Sequence, residues 1–155
     1  MSQRREGAVR GAAAADPDAP IDPAIAMLAA DDASGALGME LLEVRPGFAR
    51  VAMPVVEGML NGHGIAHGGV VFTLADTAFG AACNSGRPMT VATSAEIDFL
   101  APVQAGDRLI AEAVERASTG RNGITDVTVW REGDEPLRVA EFRGRSRTIG
   151  DRGAS

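Results

Sequence analysis

The sequence predicts an α+β fold in which one long buried helix is wrapped by a curved antiparallel sheet. Three observations carry this. The stretch Asn61–Asn84, NGHGIAHGGVVFTLADTAFGAACN, packs four glycines and two histidines into nine residues and then turns abruptly apolar. Val70, Val71, Phe72, Leu74, Ala75, Ala78, Phe79, Ala81 and Ala82 leave hardly any polar face, so the helix they form should be buried on most sides. Downstream, three long strand candidates and a shorter one follow with no helical pattern among them. Their connections are too short for crossovers, so neighbours should pair antiparallel.

In chain order, residues 1–20 are rich in Ala, Gly, Pro and charge and read as a disordered tail, with no apolar core of a signal peptide. A single domain is expected over 21–150, and 151–155 form a second short tail. Asp22-Pro23 followed by AIAMLAADD predicts a short helix with Asp22 as N-cap and Pro23 at its first position. Strands are expected at Leu37–Val44 and Phe48–Val56, joined as a hairpin by Arg45-Pro46-Gly47. In the second, Ala49, Val51, Met53 and Val55 alternate with Arg50 and Ala52, as in a half-buried strand. Ser85-Gly86-Arg87-Pro88 ends the central helix. Met89–Leu100 then places Val91, Thr93, Ala95, Ile97 and Phe99 on one face. Gly106–Ala117, Ile124–Arg131 and Leu137–Thr148 complete the sheet, with Trp130 and Phe142 read as core. No internal repeat is visible.

Composition narrows the function. A net charge of −6 argues against a general nucleic-acid binder. No apolar run approaches a membrane span. One cysteine, Cys83, rules out an internal disulfide and fits a reducing cytoplasm. The chain has no lysine, which excludes Schiff-base chemistry and a P-loop lysine. With two histidines, His63 and His67, and no HExxH pattern, a metal site has little support.

The chemistry concentrates on the central helix. Gly69, Thr73, Asp76, Thr77, Gly80 and Asn84 recur at spacings of three and four, forming a narrow stripe of small and polar residues that lets a backbone or a ligand approach. Asp76 stands in that stripe without a basic neighbour at helical spacing, and an unpaired carboxylate is costly to bury. It is either a capped structural acid at a subunit interface or a catalytic carboxylate. The free N–H groups near Gly68 and Gly69 carry the positive end of the helix dipole and suit a developing oxyanion, with Asn61 and His67 available as further donors or to orient a substrate. Gly68 and Asp76 lie eight residues apart, roughly 12 Å along one helix. One carbonyl carbon cannot reach both, so a shared reaction would take them from two copies of the chain packed antiparallel through the small-residue stripe. That predicts an obligate homodimer with two composite sites. Glu96 with Asp98, and Arg143, Arg145 and Arg147, share strand faces. The acids read as solvent-facing with catalysis as the alternative, and the arginines as a solvated face with a phosphate-binding strip as the alternative.

These residues resemble a known family. Asn61-Gly62-His63-Gly64, His67-Gly68-Gly69 and Leu74-Ala75-Asp76-Thr77-Ala78-Phe79 are similar to the hotdog-fold thioesterases, in the phenylacetate-degradation (PaaI-like) branch. Cys83-Asn84-Ser85, Ile97-Asp98-Phe99-Leu100 with Pro102, Gly106-Asp107 and Phe142-Arg143-Gly144-Arg145-Ser146 extend the resemblance from about Met39 to Gly150. It implies a helix wrapped by a five- or six-stranded antiparallel sheet, dimers pairing into tetramers, and hydrolysis of acyl-CoA thioesters without a metal or cofactor, coenzyme A being part of the substrate. By position, Asp76 is the catalytic carboxylate, and the Gly68 N–H polarises the thioester carbonyl with help from Asn61 and His67. Gly69, Thr77 and Phe99 fall in the substrate-binding region. Arg121 and Arg145 are the arginines expected to meet the phosphates of CoA. Aryl-acetyl or medium-chain acyl groups are the expected substrates. The rivals are a hotdog hydratase or dehydratase, which would set a histidine base against a helix acid, and a non-catalytic acyl-CoA-binding module. Both histidines precede the helix, which disfavours the first.

Overall fold

A computed structural model describes residues 16–150. Of the tails expected over 1–20 and 151–155, residues 1–15 and 151–155 lie outside the described residues; residues 16–19 form a turn in which the Ala19 N–H donates to the Asp16 carbonyl at 3.2 Å. Two short helices follow, α1 (Pro23–Ala29) and α2 (Asp32–Ala36), where the sequence pattern indicated one. Each is started by an aspartate: Asp22 Oδ1 accepts from Ala24 N at 2.8 Å, and Asp31 Oδ1 from Ser34 N at 3.0 Å. Asp22 also reaches across the fold, its other oxygen accepting from Ser85 Oγ at 2.7 Å at the end of the central helix. One carboxylate thus caps α1 and ties it down.

Strands β1 (Glu40–Arg45) and β2 (Phe48–Pro54) form the expected hairpin, but β1 starts later than Leu37. Residues 37–39 are taken by the end of α2, where Gly38 at φ +69° turns the chain. Gly47, at φ +76°, makes the hairpin turn and hydrogen-bonds the Ala82 carbonyl at 3.0 Å, docking the hairpin on the helix. A 3₁₀ turn (Glu57–Met59) leads to the glycine-rich loop and to helix α3 (Gly68–Asn84). Strands β3 (Met89–Phe99), β4 (Arg108–Thr119), β5 (Asn122–Arg131) and β6 (Leu137–Gly150) complete one antiparallel sheet in the order β1-β2-β4-β5-β6-β3.

The sheet curls around α3. Val51 and Met53 of β2, Leu109 and Ala111 of β4, Val127 and Val129 of β5, and Phe142 of β6 meet Val71, Leu74, Ala75, Ala78 and Phe79 of the helix. Each fully buried large side chain contributes on the order of 1.5–3 kcal/mol. Phe142 sits 5.3 Å from Phe72 and 5.7 Å from Phe79, centroid to centroid, in inclined arrangements. Gly144 lets β6 cross directly over the helix: a Cβ there would lie 2.6 Å from Phe79 Cζ. Cys83 is buried at 3% exposure, its sulfur 3.7 Å from the Thr125 hydroxyl, and burial pushes the thiol pKa up. Asn84 stitches the helix end to β3, donating to the Gly80 and Thr90 carbonyls and accepting from Thr90 N.

Two sequence expectations need correction. Trp130 is not core: it stands on the outer face of the sheet, half-buried beside Ile110, with the Arg138 guanidinium 5.1 Å from its ring. Nor does β3 keep Val91, Thr93, Ala95, Ile97 and Phe99 in one unbroken alternation. It is an edge strand with a register shift between Ala92 and Ser94, and Ala92–Glu96, Asp98 and Phe99 are exposed while Val91 and Ile97 are half-buried.

Candidate active site

The loop before α3 is held by its own backbone. Asn61 N donates to the Ile65 carbonyl at 2.8 Å, and Asn61 Oδ1 accepts from His63 N at 2.9 Å. That fixes the Asn61 side chain in an Asx turn and leaves its amide N–H₂ without a partner among the described residues. His67 N donates to the Met59 carbonyl, which places His67 at the N-cap of α3. Its ring does the capping: Nδ1 accepts from Gly69 N at 3.1 Å. As an acceptor Nδ1 carries no proton, so the neutral ring holds its proton on Nε2.

This cap decides which amide is free. Val70 and Val71 donate to the His67 carbonyl, and Gly69 donates to the His67 ring. Of these first-turn amides, Gly68 N–H alone has no acceptor among the described residues, at the positive end of a helix of 17 residues. It fronts a cavity of about 240 Å³ lined by Asn61, Gly68, Val71, Phe99, Pro102 and Val139 among others. The Phe99 ring lies over Gly68, 3.0 Å from where a Cβ would stand, so a side chain there would push this exposed ring aside. Asn61, Gly68 and Phe99 therefore gather at one place, with His67 capping the same helix end.

Asp76 stands elsewhere, two turns along the same helix. It is exposed in the single chain and has neither a hydrogen-bond donor nor a cation among the described residues. Desolvation by the surrounding protein pushes its carboxyl pKa above the usual range, and the charge of Asp31 adds to the rise. A capped structural acid would show the opposite sign. Thr77, the next residue, is buried, its hydroxyl donating to the Thr73 carbonyl at 2.8 Å and lying 3.3 Å from Ser34 Oγ.

The small-residue stripe divides in two. Its C-terminal half is covered by α1, with Met27 Cε 3.7 Å from where a Gly80 Cβ would be, while Gly69 and Asp76 remain exposed and Thr73 half-buried. The basic strand face is divided as well: Arg143 is bonded to Asp126 at 2.7 Å, and Arg145 reaches Glu96 at 3.5 Å. Glu96 is thus held in an ion pair rather than paired with Asp98. Arg121 is exposed at the β4–β5 turn and lines a cavity of about 160 Å³ with Arg87, Glu115, Ser146 and Thr148. Among the described residues no three His, Cys, Asp or Glu side chains gather in a way that could hold a metal ion, and no helix is long and apolar enough to cross a membrane.

Sequence reasoning missed Asp31 and Ser34. Their signal was the Asp-x-x-Ser spacing of an N-cap, hidden because residues 31–32 read as the tail of a single helix.

The chain is similar to several known proteins. Residues 63–137 match the family model described as the thioesterase superfamily. The acyl-coenzyme A thioesterase PaaI of Escherichia coli (strain K12) is 44% identical over 125 residues, 81% of this chain and 88% of that protein. The solved structure of E. coli PaaI superimposes with a TM-score of 0.79 at 43% identity, covering 83% of this chain and 92% of that one. A Streptococcus mutans UA159 protein solved bound to acetyl CoA is 27% identical with a TM-score of 0.69, covering 74% of this chain and 90% of that one. On its sequence, its fold and these relatives, the chain belongs to the thioesterase superfamily, as a PaaI-like thioester hydrolase with the hotdog fold.

Proposed function

We propose that the protein hydrolyses acyl-CoA thioesters, with Asp76 as the catalytic carboxylate and Gly68 N–H, assisted by Asn61 and His67, as the group that polarises the thioester carbonyl. The observation that carries this reading is the unpartnered Gly68 amide at the mouth of an apolar cavity, on the same helix as an unpaired aspartate whose pKa is raised. The E. coli relative is an acyl-coenzyme A thioesterase, and the S. mutans structure holds acetyl CoA. Both support the same substrate class.

The roughly 12 Å between Gly68 and Asp76 along one helix argues for a site completed by a second copy. The exposed edge of β3, whose outer ladder groups have no partner strand among the described residues, offers a way for two copies to join. The tetramer that the resemblance implies would pair two such dimers.

In the proposed reaction, water attacks the carbonyl carbon while Asp76 takes its proton, or the carboxylate itself attacks and water opens the resulting anhydride. The C–S bond breaks, the thiolate takes up a proton, and a carboxylic acid and the CoA thiol leave. The charge that develops on the carbonyl oxygen meets the Gly68 N–H. The raised pKa of Asp76 supports the general-base route, since a stronger base abstracts a proton more readily. Gly69 and Phe99 border the reacting group, Thr77 lies beside Asp76, and Arg121, exposed and without an ion pair among the described residues, with Arg145 further along the sheet, would meet the phosphates of CoA. No metal or cofactor enters this scheme, and a cytoplasmic setting, where acyl-CoA is available, suits it.

The test is thiol release from aryl-acetyl and medium-chain acyl-CoAs by the wild type, Asp76→Ala and Asp76→Asn. Both variants should lose about a hundredfold or more in kcat. A wild type that binds these thioesters but releases no thiol would be a binding module, and full activity in Asp76→Ala would remove the aspartate from the mechanism.

A further inference from the structure

Two aspartates beside the middle of α3 are held in opposite ways. Asp31 caps α2, its Oδ1 accepting from Ser34 N at 3.0 Å and its Oδ2 from Ser34 Oγ at 2.6 Å. Those bonds hold its carboxyl below the ordinary range, so it stays a fixed negative charge. Asp76 has no such donor among the described residues, and its carboxyl moves the other way, through desolvation first and the charge of Asp31 second.

Side chains join the two. Ser34 Oγ lies 3.3 Å from Thr77 Oγ1, and Thr77 donates to the Thr73 carbonyl at 2.8 Å. Both hydroxyl residues are buried, Ser34 at 5% and Thr77 at 8% exposure. Thr73, Asp76 and Thr77 stand three and four apart on α3, so the contacts that fix Asp31 also fix the turn of helix from which Asp76 projects.

The other charged groups on the surrounding elements are few or already paired. Neither α3 nor α1 carries a charged residue besides Asp76. Asp32 is exposed at the start of α2. On β1, Glu43 pairs with Arg45 and Glu40 with Arg108. On β3, Glu96 pairs with Arg145 and Asp98 is exposed, and Glu115 of β4 pairs with Arg87. Asp31 is the charge that acts on Asp76.

We propose that Asp31 is a positioning residue for Asp76: fixed by the cap of α2 and joined to α3 through Ser34 and Thr77, its carboxylate makes Asp76 a stronger base toward the attacking water. The inference rests on the hydrolase reading, in its general-base form. One interaction has two consequences here. The Asp31 charge makes Asp76 readier to take a proton from water, and it makes Asp76 harder to keep ionised in acid.

The experiment is the pH profile of kcat/KM for thiol release, using the aryl-acetyl or medium-chain acyl-CoA that wild type turns over best. Asp31→Asn and Asp31→Ser remove the charge and keep a capping oxygen, and thermal melts confirm that both fold. On the plateau above the acid limb both variants should fall about two- to threefold below wild type. On the acid limb they should rise above it, so that the curves cross. A loss by one common factor at every pH would make Asp31 a structural cap and overturns the proposal, as does a profile that coincides with wild type. Carbon-13 NMR of the Asp76 carboxyl, identified by its absence from Asp76→Asn, reads the coupling without turnover. Its titration should move to lower pH in Asp31→Asn. If wild type releases no thiol from any of these thioesters, the hydrolase reading fails separately and this titration decides: a shift upholds the coupling, and an Asp76 carboxyl that titrates alike in both proteins overturns it.

Discussion

The His67 ring accepts the Gly69 N–H through Nδ1 at 3.1 Å, and by doing so it leaves Gly68 as the free amide of that helix end. One residue thus both starts the helix and chooses its electrophilic group. The ring's other nitrogen keeps a proton and can donate.

These two contributions separate by substitution. His67→Ala should lose about 1 kcal/mol of stability with the cap, and on the order of a hundredfold in kcat if Nε2 is a donor to the oxyanion. His67→Asn supplies a capping oxygen but no equivalent of Nε2, so it should restore the melting temperature and not the turnover. Recovery of both would reduce His67 to a cap.

Asp76→Asn should make the protein more stable at neutral pH while disabling it. The sign follows from the raised pKa. The unfolded carboxyl ionises freely above its ordinary value of 3.8, whereas the folded protein resists that ionisation, so the native state bears a cost once pH exceeds the unfolded value. The melting temperature of Asp76→Asn should lie above that of wild type at pH 7, and the gap should close as pH falls below about 3. Melts across that range check it, and a variant less stable than wild type at pH 7 would show that the carboxylate is stabilised after all.

Gly144→Ala tests the crossing of β6 over the helix. The new methyl would meet Phe79 at 2.6 to 2.7 Å, and Phe79 is 2% exposed with Phe142 beside it. We expect destabilisation of about 1–3 kcal/mol by denaturant titration, partly recovered by Phe79→Leu in the same chain. An unchanged midpoint would mean that the sheet can lift from the helix without cost.

Asp22→Ala removes three bonds at once, to Ala24 N, Gly86 N and Ser85 Oγ. Stability should fall by roughly 1–2 kcal/mol, and the loss should be local. Hydrogen exchange should show α1 amides opening while the amides of β4 and β5 keep their protection. Uniform loss across the sheet would contradict a tether role.

Much of this could be read from the sequence because it depends on residue types with few alternatives. An apolar helix with a lone aspartate in a small-residue stripe, entered through Asn61, His67 and paired glycines, leaves little freedom in how Gly68 and Asp76 are placed. Antiparallel pairing followed from connections too short for anything else. The features that escaped detection depend on tertiary neighbours. Trp130 alternates correctly for a strand, but β5 has two faces, and nothing in its sequence reveals that Arg138 rather than the helix will cover the ring. On β3 the register shift at Ala92–Ser94 interrupts the alternation without leaving a glycine or proline to mark it. Ser34 offered only its N-cap spacing from Asp31, because its other contact, Thr77, lies 43 residues away.

Cys83 has a practical consequence. It is the chain's single cysteine, packed in the core, and its thiol is kept protonated by burial. Cys83 is 3% exposed and lines the cavity of about 160 Å³ that Arg121 also borders, so a thiol reagent in solution reaches the sulfur only when the packing around that cavity opens. The labelling rate of the unmodified protein is therefore a clock for that opening. Read with and without bound thioester, it reports how firmly the ligand holds that packing closed, with no engineered reporter in the chain.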